Sequence, residues 1–249
     1  MKVLKTTDTH AGFNAKTHNI HYKFVKKCAQ SIKKNDIKIF FHAGDWISTR
    51  QCEFDKTLEM FANSISIPII TVRGNHDFWD EDDQFNSLSR MNEFHKQLFQ
   101  KYNIIHLDGA AYRYEDIIIC GFDGWYGVDN PPTKDDMFLN KFDCGTRAMV
   151  HLSNKAYKDF DKVLSMETSN YRKSLCITHF PMFTEDDEYI DYCANFNYLP
   201  HLIDKFDISF VGHSHQKSNP LIISNGSKSC PTYNAGSHYN NPKYIIIDI

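Results

Sequence analysis

No apolar run in this sequence approaches the roughly eighteen residues that a membrane-crossing helix needs, so no spanning segment is expected. Cysteine is sparse and scattered: seven residues, odd in number and with no CxxC pair, make neither a disulfide framework nor a zinc knuckle. Cys28, Cys120 and Cys176 lie in apolar settings and read as buried free thiols, as suits a reducing cytoplasm. Met1-Lys2-Val3-Leu4 passes directly into a strand-like run, so no signal peptide is expected. Ser/Gly linkers, low-complexity tracts and fixed-period repeats are missing, which excludes a solenoid or a string of modules. An excess of one charge is missing too. Twenty-eight Lys and Arg against 31 Asp and Glu give a net charge of -3, with no general attraction to nucleic acid or an anionic membrane, although a local basic patch remains compatible with it.

What is present is an ordinary globular composition, 41% hydrophobic and 24% charged, in 249 residues that suit a single domain over 1–249. Short β-branched runs at Lys2–Thr7, Ile37–His42, Ile67–Val72, Ile104–Leu107, Ile117–Gly121, Ser174–Thr178, Ile208–Val211, Thr232–Asn234 and Tyr244–Ile249 predict strands. Helical spacing of apolar residues appears near 20–34, 54–64, 84–101, 146–167 and 195–205. The front of the chain therefore reads βαβαβ, which predicts a parallel sheet, and Ala110–Gly121 reads as a hairpin. Late strands with few helices between them suggest a second sheet. The expected fold is α/β, a four-layer αββα sandwich of two mixed β-sheets flanked by helices. The long irregular segment Asp123–Asp143, with Pro131-Pro132, reads equally as a substrate-facing lid or a solvated excursion.

Aspartate and histidine recur where the strands run out: Asp8-Thr9-His10, Gly44-Asp45, Gly74-Asn75-His76-Asp77, His179 and Gly212-His213-Ser214-His215. In α/β sheets, ligands bind outside the carboxyl ends of the strands, so the fold can gather these blocks. Asp8 and His10, like His213 and His215, are alternate residues, and an extended backbone projects such a pair to one side. Mixed carboxylate and imidazole ligation suits two divalent transition metals (Mn, Fe, Zn or Ni, with Mn favoured) over Ca or Mg. Asp45, with two oxygens at the centre of the series, is the expected bridge, and Asn75 adds a neutral amide oxygen. His76 suits a proton donor to a leaving alkoxide. Asp77 reads as the carboxylate that orients it, or alternatively as a turn cap. Glycines at 44, 74 and 212 are expected to supply positive φ at tight turns. His42 is expected to be buried, and His18 and His21 to lie at the surface. Trp79, Tyr126 and His238 are expected around the substrate. Trp46, Phe78, Trp125, Phe180 and Phe183 are either core or stacking surfaces for a base, with core preferred for Trp46 and Phe180.

In their order and spacing, these five blocks resemble the calcineurin-like metallophosphoesterase superfamily from residue 4 to about residue 240. The resemblance implies a dinuclear centre with Asp8, His10, Asp45 and His215 on one metal. Asp45, Asn75, His179 and His213 would hold the other, with His76 as proton donor and Asp77 as its partner. It also implies hydrolysis of a phosphodiester or phosphomonoester by hydroxide generated at that centre. The block Gly44-Asp45-Trp46-Ile47-Ser48-Thr49-Arg50 lacks the arginine pattern of the serine/threonine protein phosphatases, and those enzymes lack the paired histidines of the last block. The sequence is more similar to bacterial and phage phosphodiesterases and to nucleotide- or nuclease-like members. The expected substrate is a phosphate ester, such as a nucleotide or a nucleic-acid end. The alternatives are a nuclease acting on DNA or RNA ends, and a metal-binding scaffold on the same fold. Lys23, Lys26 and Lys27 cluster on one helix but read as an ordinary solvated face.

Overall fold

The computed structural model describes residues 1–12, 15–126, 146–181, 199–215, 220–224 and 226–249. Its elements are β1 (Lys2–Thr6), α1 (Ala15–Asn35), β2 (Ile37–Ala43), α2 (Phe54–Ser64), β3 (Ile69–Val72), α3 (Leu88–Lys101), β4 (Ile105–His106), β5 (Ala110–Tyr114) and β6 (Ile117–Gly121). They continue as α4 (Thr146–Ser165), β7 (Lys173–Ile177), α5 (Leu199–Lys205), β8 (Ile208–Phe210), β9 (Leu221–Ser224), β10 (Ser229–Tyr233) and β11 (Tyr244–Asp248).

Two mixed sheets result. The first has strand order β11-β1-β2-β3-β4, parallel from β1 to β4 with β11 antiparallel at the edge. The second has order β5-β6-β7-β8-β10-β9, with the β5–β6 hairpin antiparallel and β6, β7, β8 and β10 parallel. Period-two alternation sorts the side chains into layers. Val3, Ile39, Phe41, Ile70, Ile119, Leu175, Ile177 and Phe210 form one cluster between the sheets. Their neighbours Leu4 and Phe40 turn the other way, onto Phe24, Val25, Leu58, Phe61 and Leu98 of the first helical layer. Ile118, Cys120 and Cys176 turn onto Leu152, Phe160, Val163 and Leu202 of the second. This is the αββα sandwich expected from the sequence. Lys5 is the exception on β1: fully buried, it donates from Nζ to the carbonyl of Val211 just past β8, a polar tie across the sandwich.

The differences are local. Helix α3 starts at Leu88 rather than near 84, because the Asp80 carboxylate accepts from the Gln84 and Phe85 N–H groups and Ser87 caps the helix. Strand β9 was not expected; it is a four-residue edge strand with Ile222 58% exposed, too short and one-sided to stand out. Strand β10 begins at Ser229, earlier than expected, because Pro231 is tolerated beside that edge. Most of the Asp123–Asp143 segment, and Phe183, lie outside the described residues.

Candidate metal centre

All five blocks come to the carboxyl ends of the parallel strands. Asp8 and His10 follow β1, Asp45 follows β2, Asn75 follows β3, His179 follows β7, and His213 and His215 follow β8. The backbone there is not extended. Asp8 (φ 48°), His10 (φ 45°), Asp45 (φ 58°), His213 (φ 64°) and His215 (φ 56°) all take the left-handed conformation. The expectation that strand alternation presents each pair is thus corrected. The strands end two or more residues earlier, and successive left-handed turns aim the side chains. Such non-glycine residues cost roughly 1–3 kcal/mol each and collect at functional sites. Backbone bonds hold the turns, with Asp8 N–H donating to Gly44 O at 2.9 Å and His10 N–H to Asp45 O at 3.0 Å.

The glycines need a second correction. Gly44 has positive φ (83°), and a Cβ there would also lie 2.6 Å from His179 Nδ1. Gly74 and Gly212 do not have positive φ. Their requirement is space: a Cβ on Gly74 would lie 2.6 Å from His179 Cε1, and one on Gly212 2.7 Å from Ala43 O.

Two groups of donors converge, Asp8, His10, Asp45 and His215 in one and Asp45, His179 and His213 in the other, each within 4.8 Å and able to hold a metal ion. Asp45 Oδ2 is 3.7 Å from His10 Nε2 and 3.5 Å from His179 Nε2. Asn75 Oδ1 faces the second group, 3.2 Å from His179 Nε2 and 3.0 Å from His213 Nδ1. His215 Nε2 lies 3.4 Å from Asp8 Oδ1 and 3.0 Å from His10 Nε2.

These residues fit a cation. His179 Nδ1 donates to the Ala43 carbonyl at 2.7 Å, so in the neutral ring the Nε2 lone pair points at the oxygens of Asp45 and Asn75. Burial lowers the pKa of His10, His179 and His213 and keeps them neutral, the form that ligates metal. Burial opposes ionisation of Asp8, but hydrogen bonding from His215 and the neighbouring histidines hold its pKa below the usual carboxylate range. The Nε2 lone pair of His179 therefore converges with the oxygens of Asp45 and Asn75, a mixed imidazole, carboxylate and amide set that suits a divalent cation.

His76 is buried beside the first group. Its Nδ1 donates to Ser48 O at 2.6 Å, which turns Nε2 to the Tyr239 hydroxyl 2.9 Å away. Its N–H donates to Asp45 Oδ1 at 2.9 Å. Asp77 does not orient it. The Asp77 carboxylate instead accepts from the N–H groups of Gly74, Asp45 and Trp46 at 2.8–3.0 Å, bracing the two loops that carry Asn75 and Asp45. The fully buried carboxylate is occupied by these loop amides, and Ser48 O orients the ring instead.

A family model for calcineurin-like phosphoesterases matches residues 1–217 of the chain. The chain belongs to the calcineurin-like phosphoesterase family. Membership of this family implies a metal-dependent hydrolase of phosphate esters. No curated protein matches in sequence. The fold is similar to phosphopantetheinyl hydrolase from Mycobacterium tuberculosis, with TM-score 0.59 and 11% identity over 98% of this chain and 95% of that one. It is also similar to a dimetal phosphatase from Danio rerio, with TM-score 0.58 and 13% identity over 99% and 91%. GAP50, the anchor in the inner membrane complex of Plasmodium, matches with TM-score 0.53 and 15% identity over 95% and 72%.

Around the phosphoesterase centre, the remaining expected residues divide. Trp79 is half-buried and lies against His76, with ring centroids 3.5 Å apart. Tyr126 is buried and puts its hydroxyl 3.2 Å from His213 Nε2, so it supports a ligand more than it faces the open site. His238 is exposed, its ring 4.9 Å from His215. Trp46, Trp125 and Phe180 are core, and His42 is buried and stacked on Trp46 at 3.6 Å. His21, expected at the surface, is buried; its Nε2 bonds to Thr9 O at 2.7 Å and ties α1 to the first ligand loop. The sequence reading also missed Tyr239, which stacks on His10 at 4.1 Å, and the buried pair of Arg73 and Asp123. Arg73 adjoins the Gly74-Asn75 block and Asp123 lies two residues past β6, positions that a search for charged residues just after strands would have flagged.

Proposed function

We propose that the chain is a phosphoesterase with two divalent transition-metal ions, Mn favoured, that hydrolyses a phosphodiester or phosphomonoester of nucleotide type. The whole of 1–249 is read as one cytoplasmic metallophosphoesterase domain. The observation that carries the reading is that two donor groups share Asp45. Asp8, His10, Asp45 and His215 would hold one ion, and Asp45, Asn75, His179 and His213 the other. When bound, such a pair polarises the phosphoryl group and lowers the pKa of coordinated water to about 7. The protein's own residues do the rest. Ser48 O holds the His76 ring so that Nε2 looks into the site, and the His76 side chain delivers the proton to the leaving oxygen. Burial lowers the His76 pKa to about 3, opposed by the Ser48 carbonyl, so the free site holds it neutral; a bound phosphate anion favours its protonated form.

A substrate panel in Mn, covering mononucleotides, cyclic nucleotides, dinucleoside polyphosphates and short oligonucleotides beside a chromogenic diester, tests the reading. Metal-dependent turnover of at least one is expected; none with the folded, metal-loaded protein would leave the scaffold reading in its place.

A further inference from the structure

Helix α1 carries six lysines and no aspartate or glutamate, although the chain as a whole has net charge -3. Four of them, Lys16, Lys23, Lys27 and Lys34, recur at spacings of seven, four and seven residues, which places them along one side of the helix. At 1.5 Å per residue the row is about 27 Å long, and all four side chains are exposed. The row borders a groove of about 520 Å³, walled by Ile20, Lys23, Phe24 and Lys27 on one side and by Asn240 and Lys243 on the other. Among the described residues no carboxylate lines it.

Both walls are fastened to the metal-centre residues. On one, His21 Nε2 bonds to Thr9 O at 2.7 Å, between Asp8 and His10. On the other, Asn240 directly follows Tyr239, whose ring stacks on His10 and whose hydroxyl meets His76. The groove is therefore built from the two segments, α1 and residues 240–245, that adjoin residues of the metal centre, with Lys23 and Lys27 on one wall and Lys243 on the other.

We propose that this groove binds the phosphate backbone of single-stranded nucleic acid and leads one strand into the metal centre. The inference rests on the phosphoesterase reading and names its substrate class. Regularly spaced ammonium groups without intervening acids suit a polymer with one charge per unit, and a small ester would use none of Lys23, Lys27 or Lys243. The half-buried Ile20 and Tyr244 give the groove an apolar lining that suits the faces of unpaired bases, which a duplex does not offer. Lys23 and Lys27, a solvated helix face when α1 is considered alone, face a second wall with Lys243, more than two hundred residues away.

The test is fluorescence anisotropy with labelled oligothymidylate in EDTA, where binding is read without turnover. The triple variant Lys23→Glu/Lys27→Glu/Lys243→Glu is expected to bind at least about tenfold more weakly. A milder Lys23→Gln/Lys27→Gln/Lys243→Gln form should lower the log–log salt slope by about 2, since each single-strand phosphate contact contributes roughly 0.7. Lys158→Glu on α4, far from the groove in sequence and exposed, should match the wild type. Turnover of a small chromogenic diester in Mn should be unchanged in all three. Unaltered affinity and slope in the triple variants would overturn the proposal, as would equal weakening by Lys158→Glu. Equal competition by inorganic polyphosphate per phosphate would overturn its assignment to nucleic acid. Loss of diester turnover in the wild type would instead strike the phosphoesterase reading and leave the binding result standing.

Discussion

Replacing Asp123 by alanine strands a buried cation. Arg73 is 3% exposed and Asp123 8% at their side chains, and their contact is a two-point clasp of Nε at 3.0 Å and Nη2 at 2.7 Å on Oδ2. The other oxygen, Oδ1, accepts from Arg73 N–H at 2.8 Å and faces His106 Nε2 at 2.8 Å. Breaking a buried pair by removing one partner costs about 3–5 kcal/mol, against about 0–1 kcal/mol for an exposed pair. Asp123→Ala should therefore lose about 3–5 kcal/mol, read from urea unfolding followed by tryptophan fluorescence. Arg73→Met should lose a similar amount, and the double variant clearly less than the sum, because the second change removes the stranded charge. The pH dependence has a definite sign. Burial opposes ionisation of Asp123, but Arg73 and His106 hold its folded pKa well below the usual range. A depressed carboxylate stabilises above its unfolded pKa of about 3.9, so the gap between wild type and Asp123→Ala should be constant above that pH and narrow as acid protonates the carboxylate. Activity should fall too, since Arg73 precedes Gly74-Asn75 and Asp123 O accepts from His179 N–H at 3.2 Å. Strictly additive costs, or a loss under about 1 kcal/mol for either single variant, would refute the reasoning.

Gly44→Ala should cost at least about 1–3 kcal/mol in urea unfolding and weaken metal binding by at least about tenfold in titration calorimetry, because its Cβ would lie 2.6 Å from His179 Nδ1 and 2.7 Å from Gly74 N in a left-handed backbone. His76→Ala should slow esters with poor leaving groups far more than activated nitrophenyl esters; equal losses on both would remove it from proton transfer. Tyr239→Phe removes the hydroxyl on His76 Nε2 but keeps the stack on His10, so it should change the leaving-group dependence of kcat while metal stoichiometry stays at the wild-type value.

The sequence carried the layers well because they depend on local pattern. The apolar runs Ile37–Ala43 and Ile117–Gly121 mark strands buried on both faces, one against helices and the other against the facing sheet. The gathering of the Asp and His blocks was legible for the same reason, since each marks a strand end. What escaped depends on contacts between distant segments. Nothing local shows that Asp77 spends its carboxylate on the amides of residues 45 and 46, or that Ser48 anchors His76. Tyr239 and Lys243 follow the last recognisable block, and only the antiparallel return of β11 beside β1 brings that segment to the site. The left-handed turns at Asp8, His10, His213 and His215 were hidden because non-glycine residues rarely adopt them.

In the proposed function, Asp45 joins two metal sites into one hydrolytic centre. Elemental analysis of the Mn-reconstituted protein, paired with turnover of a chromogenic phosphodiester, examines it directly on the wild type and Asp45→Asn. Two ions per chain and Mn-dependent turnover are expected in the wild type, with loss of at least one ion and of turnover in the variant. Full turnover by Asp45→Asn, or a wild type saturated by one ion, would contradict it.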